Sequence, residues 1–214
     1  MRKKRYIIGI DVGFRNMGMS LFKVDKNKFK FIDCVVIQTD NKKKKEMSAT
    51  DLNILRTTIL VDGMIDFINA NIDFSFVLEG RIEMFGAFEF PHGGSESKKA
   101  AQAMSMATAI VVTFFNIFGI KFENVKPVEV KEAVTANKNA SKDDIIKVIS
   151  KKLKRHTNKI NNRIKKSKRS KKKFSPLYEH FADSVGAVIH VRKKSLKYKQ
   201  FIKGKLYENG SGNC

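Results

Sequence analysis

Three runs rich in β-branched and aromatic residues fill the first forty positions, and the gaps between them hold only a few residues each. Tyr6–Asp11 reads YIIGID, Met17–Val24 follows the turn GFRN, and Phe29–Gln38 follows DKNK. Parallel neighbours need a crossover of about a dozen residues or more, so these three strands must meander antiparallel. That start excludes the doubly wound dinucleotide folds, which alternate strand and helix from their first element. No glycine-rich phosphate fingerprint is present either.

Beyond the meander the pattern changes. A polar connection, NKKKKEMSATD, leads to a helix start at Ser48–Asp51. Leu52, Leu55, Ile59, Met64, Ile65 and Ile68 then recur at helical spacing up to Ala70. The apolar run FSFVLEG predicts a fourth strand ending on Glu79, and RIEMFGAFEFPHGGSESKK reads as an irregular loop. From about Ser95 to Ile117 a helix is expected. Its length approaches a bilayer span, but the lysines and glutamine at its start point to a buried helix instead. KFENVKP predicts a short strand, VEVKEAVT a short helix, and Ser141 caps another. Residues 151–173 form a basic low-complexity tract. The last helix opens near Pro176 and runs to about Lys194. This order predicts an α/β fold with a mixed five-stranded sheet, in one domain spanning residues 1–214 with a basic insertion at about 151–173.

Charge narrows the partners. Lys and Arg number 43 against 21 Asp and Glu, for a net +22 and a pI of 10.0. Such a field attracts polyanions, nucleic acid first and anionic membrane second. Residues 151–173 hold 13 Lys or Arg and no acid, so the remainder still carries +9. The tract reads as a grip on duplex DNA, a solvated loop or a localisation signal. The apolar stretch after MRKKR meets Asp11 too early for a signal peptide, and a soluble intracellular protein with no membrane partner is expected. Two cysteines, Cys34 and Cys214, suggest neither a disulfide framework nor a zinc site.

The acids suggest chemistry. Asp11 ends the first strand, and Glu79 is expected to end the fourth. His180 and Asp183, three apart, share a face of the last helix, with Glu179 four before Asp183. Taken alone, an Asp close to Gly is most often a turn residue, and a lone His is most often satisfied structurally. Together the four can meet if the last helix crosses neighbouring strand ends. Phosphodiester hydrolysis needs an activated water and relief of leaving-group charge. Two divalent ions held by carboxylates, Mg²⁺ or Mn²⁺, supply both.

The segments GIDVGFRNMGMSLF, FVLEG, VKPVEVKEAVTANKNASKDDI and HFADSVGAVIHV resemble, in order, the RuvC-type Holliday-junction resolvases of the RNase H and retroviral-integrase superfamily. The resemblance is thin over residues 25–74. It implies an RNase H-like fold, with Asp11, Glu79, His180 and Asp183 as catalytic metal ligands. His180 stands where an acid is more common, and the basic insertion is longer than bacterial members usually have. The family's strand–Pro–helix segment binds DNA through basic residues, a role that Lys131 and Lys142 fit. Lys98, Lys99 and Lys138 join them as DNA-contact candidates. Phe85, Phe88 and Phe90 lie where the family places an aromatic wedge, and Phe85 is taken as the contact. The implied activity is paired symmetric nicking of four-way DNA junctions by a homodimer, leaving 5′-phosphates. Cleavage of RNA–DNA hybrids or other branched DNA, and architectural DNA binding without catalysis, are the alternatives.

Overall fold

The antiparallel meander is present in a computed structural model of the protein, which describes residues 3–25, 28–39, 47–73, 75–89, 97–164 and 176–204. It comprises β1 (Lys4–Asp11), β2 (Asn16–Asp25) and β3 (Lys28–Gln38). Two further strands, β4 (Ile82–Glu89) and β5 (Lys121–Val125), add in parallel beyond β1, giving the order β3-β2-β1-β4-β5. This is the mixed five-stranded sheet expected from the sequence.

Helices cover both faces. One side carries α1 (Ala49–Asn69), α2 (Ser75–Leu78) and α3 (Lys98–Ile117), packed on Ile8, Ile10, Met19, Leu21 and Met84. Ser48 caps α1 by accepting from the Asp51 amide. The other side carries α4 (Pro127–Thr135), α5 (Lys142–Lys152), α6 (Thr157–Arg163), α7 (Pro176–Lys194) and α8 (Leu196–Ile202). They pack on Ile7, Phe22, Phe85 and Ala87. Ser141 caps α5 as expected, with Asp144 returning a bond to the Ser141 amide.

Two expectations are corrected. The run around residues 75–78 is not a strand but the single turn α2. The Asp73 carboxylate accepts from the Ser75 amide (3.1 Å) and hydroxyl (2.6 Å), which starts a helical turn, and Gly80 at φ +67° ends it. The fourth strand lies instead in the expected loop, at Ile82–Glu89. Seven of its eight residues are buried, so the alternation that marks a half-exposed strand is missing. Gly86 hides it further. A Cβ there would lie 2.6 Å from Cζ of Phe115, so the glycine makes room for that ring on α3.

The other departures are of degree. α3 buries only a stripe, Ala107, Val111, Phe114 and Phe115, while Ser105, Ala109 and Thr113 face outward. Its apolar average thus comes partly from small residues, not from burial on all sides. The basic tract is folded as far as Ile164. A 3-10 turn at Lys154–His156 leads into α6, which buries Ile160 and Ile164 against the sheet. Positions 165–173 lie outside the described residues.

Candidate active site

The first strand delivers Asp11 to one end of the sheet, and the parallel pairing of β1 with β4 places Glu89 directly beside it. α7 crosses the same end and adds Asp183. One carboxylate oxygen from each of Asp11, Glu89 and Asp183 lies within 4.8 Å of the others. His180, one turn earlier on α7, contacts Asp11 through Nδ1 at 2.6 Å from Oδ2. A carboxylate can only accept, so Nδ1 is the ring nitrogen that donates.

Glycines set this depth. Gly18 on β2 pairs with Asp11, and a Cβ there would lie 2.1 Å from the His180 carbonyl oxygen. A Cβ on Gly9 would likewise lie 2.1 Å from the Ser184 carbonyl oxygen. The α7 backbone therefore rests on two side-chain-free positions of the sheet. That close approach lets His180 and Asp183 reach Asp11.

The site is overloaded with negative charge. Burial, then the charges of Asp183 and Asp11, push the Glu89 carboxyl up to about 9, against the opposing pull of Lys142 and Lys131. Burial and Asp11 push Asp183 up to about 7, against Lys142, His180 and Lys131. Glu89 Oε2 is buried with no hydrogen-bond partner. A buried acceptor without a donor costs about 1–3 kcal/mol, more if charged. Three hard oxygen donors, mutual repulsion and an orphaned buried oxygen fit a divalent cation bound by carboxylates. His180 reaches the cluster through Asp11, with Nε2 left for a proton or an ion.

The expected residues divide plainly. Asp11, His180 and Asp183 come together. Glu79 does not: it follows α2, is 51% exposed in its side chain and pairs with Arg81. Glu89 takes the place expected for it. Misplacing the fourth strand hid Glu89, although an acid closing an eight-residue run as long as β1 was the available signal. Phe85 is fully buried against Tyr198 and Phe201, so it cannot serve as a surface wedge. Phe88 is also buried, and Phe90 lies outside the described residues.

Among the lysines, Lys131 on α4 and Lys142 at the start of α5 act electrostatically on Glu89 and Asp183. Lys142 also pairs with Glu179, the acid one turn before Asp183. Lys138 is exposed between α4 and α5, and Lys98 is exposed at the start of α3. Lys99 lines a groove of about 680 Å³ that opens beside His180, between the β1–β2 turn and the N-terminal halves of α1 and α3. Arg15, Arg56 and Phe14 share that lining.

No protein-family model matches the chain. In sequence it is 25% identical over 143 residues to the crossover junction endodeoxyribonuclease RuvC of Brachyspira hyodysenteriae, across 67% of this chain and 78% of that protein. Among solved structures it is similar to Thermus thermophilus RuvC in complex with a Holliday junction substrate. The TM-score is 0.57 at 15% identity, covering 89% of this chain and 96% of that one. The yeast mitochondrial Holliday junction resolvase Ydc2 matches with a TM-score of 0.50 at 12% identity, over 92% and 83% of the two chains. The fold is the RNase H-like sheet of RuvC, and the sequence is similar to RuvC as well.

Proposed function

We propose that the protein is a divalent-metal-dependent endodeoxyribonuclease that resolves four-way DNA junctions by paired nicks, in one RNase H-like domain acting inside the cell. The observation that carries this reading is the convergence of Asp11, Glu89 and Asp183 around a buried carboxylate oxygen without a donor. An architectural DNA binder gains nothing from carboxylates that repel phosphate at such a point. The similarity to RuvC in sequence and fold supplies the substrate class.

In this reading Asp11, Glu89 and Asp183 hold one or two Mg²⁺ or Mn²⁺ ions. Bound ions would activate the attacking water and offset charge on the leaving oxygen. His180 is held against Asp11 through Nδ1, and in this reading its Nε2 is the nitrogen free to coordinate or to move a proton. Lys131 and Lys142 flank the acids with positive charge and are assigned to the phosphates beside the scissile bond, with Lys98, Lys99 and Lys138 further out. A homodimer would present two such sites to opposing strands. The α1 and α3 side, where Ile54 is 61% and Ile117 70% exposed, is the surface assigned to the second copy.

The test is cleavage of a synthetic four-way junction beside linear duplex and an RNA–DNA hybrid, with Mg²⁺, Mn²⁺ or EDTA. Paired symmetric nicks in the junction alone, lost in EDTA, are expected. Cutting of the hybrid instead would keep the metal site and replace the substrate. Tight binding without cutting under either metal would overturn the nuclease reading.

A further inference from the structure

The end of α5 and the turn after it carry more positive charge than folding explains. Between Ile145 and Ile164 there are seven lysines and arginines and no acid. Three of the seven are paired within the chain: Lys147 lies 3.6 Å from Asp144, and the other two hold Asp33. Asp33 of β3 is only 1% exposed; Arg163 donates to it at 2.7 Å, and the Lys159 ammonium lies 3.6 Å away. Lys159 also donates to the Ile32 carbonyl oxygen at 2.7 Å. With Ile160 and Ile164 buried, these contacts fasten α6 to the sheet edge. Fastening α6 also fixes the turn before it, where Lys151, Lys152, Lys154 and Arg155 stand exposed within five residues.

Packing four like charges on a rigid turn is unfavourable for the isolated protein, since neighbouring cations repel. A disordered tail would let them spread, yet here a buried carboxylate and two buried isoleucines hold them together. The ridge also has a defined position. α5 begins at Lys142, which pairs with Glu179 beside the acid cluster, and its 11 residues rise about 16 Å to the ridge. At about 3.4 Å per base pair, that distance is roughly five base pairs of duplex.

We infer that this ridge, pinned through Asp33, is a duplex-backbone contact that grips one DNA arm about five base pairs from the acid cluster. The inference deepens the junction-nuclease reading and rests on it for the identity of the arm. It is tested by binding in EDTA, so its failure and the failure of metal-dependent cutting are separate results. The variant is Lys151→Gln, Lys154→Gln and Arg155→Gln together. The control removes the same charge elsewhere, with Lys197→Gln, Lys199→Gln and Lys203→Gln on and just after α8, which packs by the starts of β1 and β3, away from the acid end of the sheet. The log–log salt dependence of junction binding is expected to flatten by about 2.7 in the ridge variant, roughly a 40-fold difference in affinity loss between 50 and 200 mM salt, and little in the control. An unchanged slope in the ridge variant overturns the contact. An equal fall in both variants also overturns it, because only the overall field would then be acting. A fall seen with single-stranded DNA but not with duplex arms overturns the duplex assignment.

Discussion

The two helical layers bury the same sheet in similar fashion, yet they differ in nearly everything that bears on function. Among the described residues, positions 126–164 and 176–204 hold 17 lysines and arginines against six acids. Positions 47–73, 75–81 and 97–118, on the other side, hold four against five. The basic layer also lies closer to the sheet. α7 presses its carbonyl oxygens onto Gly9 and Gly18, whereas on the other face the tight glycines meet side chains, Gly86 the Phe115 ring and Gly63 of α1 the Ile37 side chain. One layer has been built to bring charged groups within reach of a fixed point, and the other to close a core and leave a neutral surface. Burial alone does not distinguish them. Close backbone approach together with uncompensated charge does.

The largest effect that could break this contrast lies at the acids. Asp183→Asn or Glu89→Gln is expected to lower metal-dependent junction nicking by roughly 10³-fold, about 4 kcal/mol of transition-state stabilisation, while junction binding in EDTA persists. Glu79→Gln, on the neutral side and exposed beside Arg81, is expected to leave the nicking rate unchanged. Single-turnover cleavage of one labelled junction by all three variants checks the point. If Glu79→Gln were as damaging as Glu89→Gln, the assignment of the second acid would fail.

That pair of residues also shows what the sequence could and could not disclose. The meander, α1, the cap at Ser48 and α7 were legible because each leaves a local signature: short gaps, helical spacing, a side-chain oxygen on a free amide. Asp11, His180 and Asp183 sit on those legible elements and were found with them. Glu89 was missed because β4 is buried on both faces, so its residues lose their alternation, and because Gly86 serves the Phe115 ring at the expense of strand propensity. The competing run ending at Glu79 looked more strand-like, since Asp73, whose carboxylate turns it into a helix, is also a common strand-boundary residue. Phe85 failed for a related reason. A phenylalanine in a loop is an exposed wedge, but the same residue in a central strand is core.

The glycines sharpen the contrast at the level of packing. Gly18→Ala forces a Cβ against the His180 carbonyl oxygen at 2.1 Å, so α7 must lift or the strand must bend. A cost of about 1–3 kcal/mol is expected, and at 2–4 °C per kcal/mol for a chain of this size it is visible as a lower Tm. Nicking should fall as well, since the same shift withdraws His180 from Asp11. Gly63→Ala meets Ile37 Cδ1, Cγ2 and Cγ1 at 2.9, 3.0 and 3.1 Å, a buried side chain that must shift by a few tenths of an ångström, and this cost is set against a gain of up to about 1 kcal/mol of helix propensity within α1. Its Tm is expected to fall less than that of Gly18→Ala, whose Cβ meets backbone. Equal losses in the two variants would remove the distinction between a layer held by backbone contact and one held by side chains.

The smallest effect concerns protons. Glu89 and Asp183 have ordinary values of 4.5 and 3.8, raised in the folded protein to about 9 and about 7. Between those limits the folded state binds more protons than the unfolded chain, so their contribution is fully present below about pH 4 and is lost as pH rises towards 9. The metal-free protein should therefore lose thermal stability through these two groups on going from pH 5 to pH 9. Glu89→Gln cannot ionise at that position, and it relieves Asp183 of a negative neighbour. Its melting temperature should exceed that of the wild type at pH 9, by a margin that shrinks towards pH 5. Adding Mg²⁺ or Mn²⁺ should narrow the gap from the other side, by stabilising the wild type at pH 9 more than the variant. The cluster would then be a destabilised arrangement kept for a cation. A margin between the two proteins that is the same at both pH values would show that Glu89 carries its charge without strain, and the acid end of the sheet would lose its energetic contrast with the neutral layer.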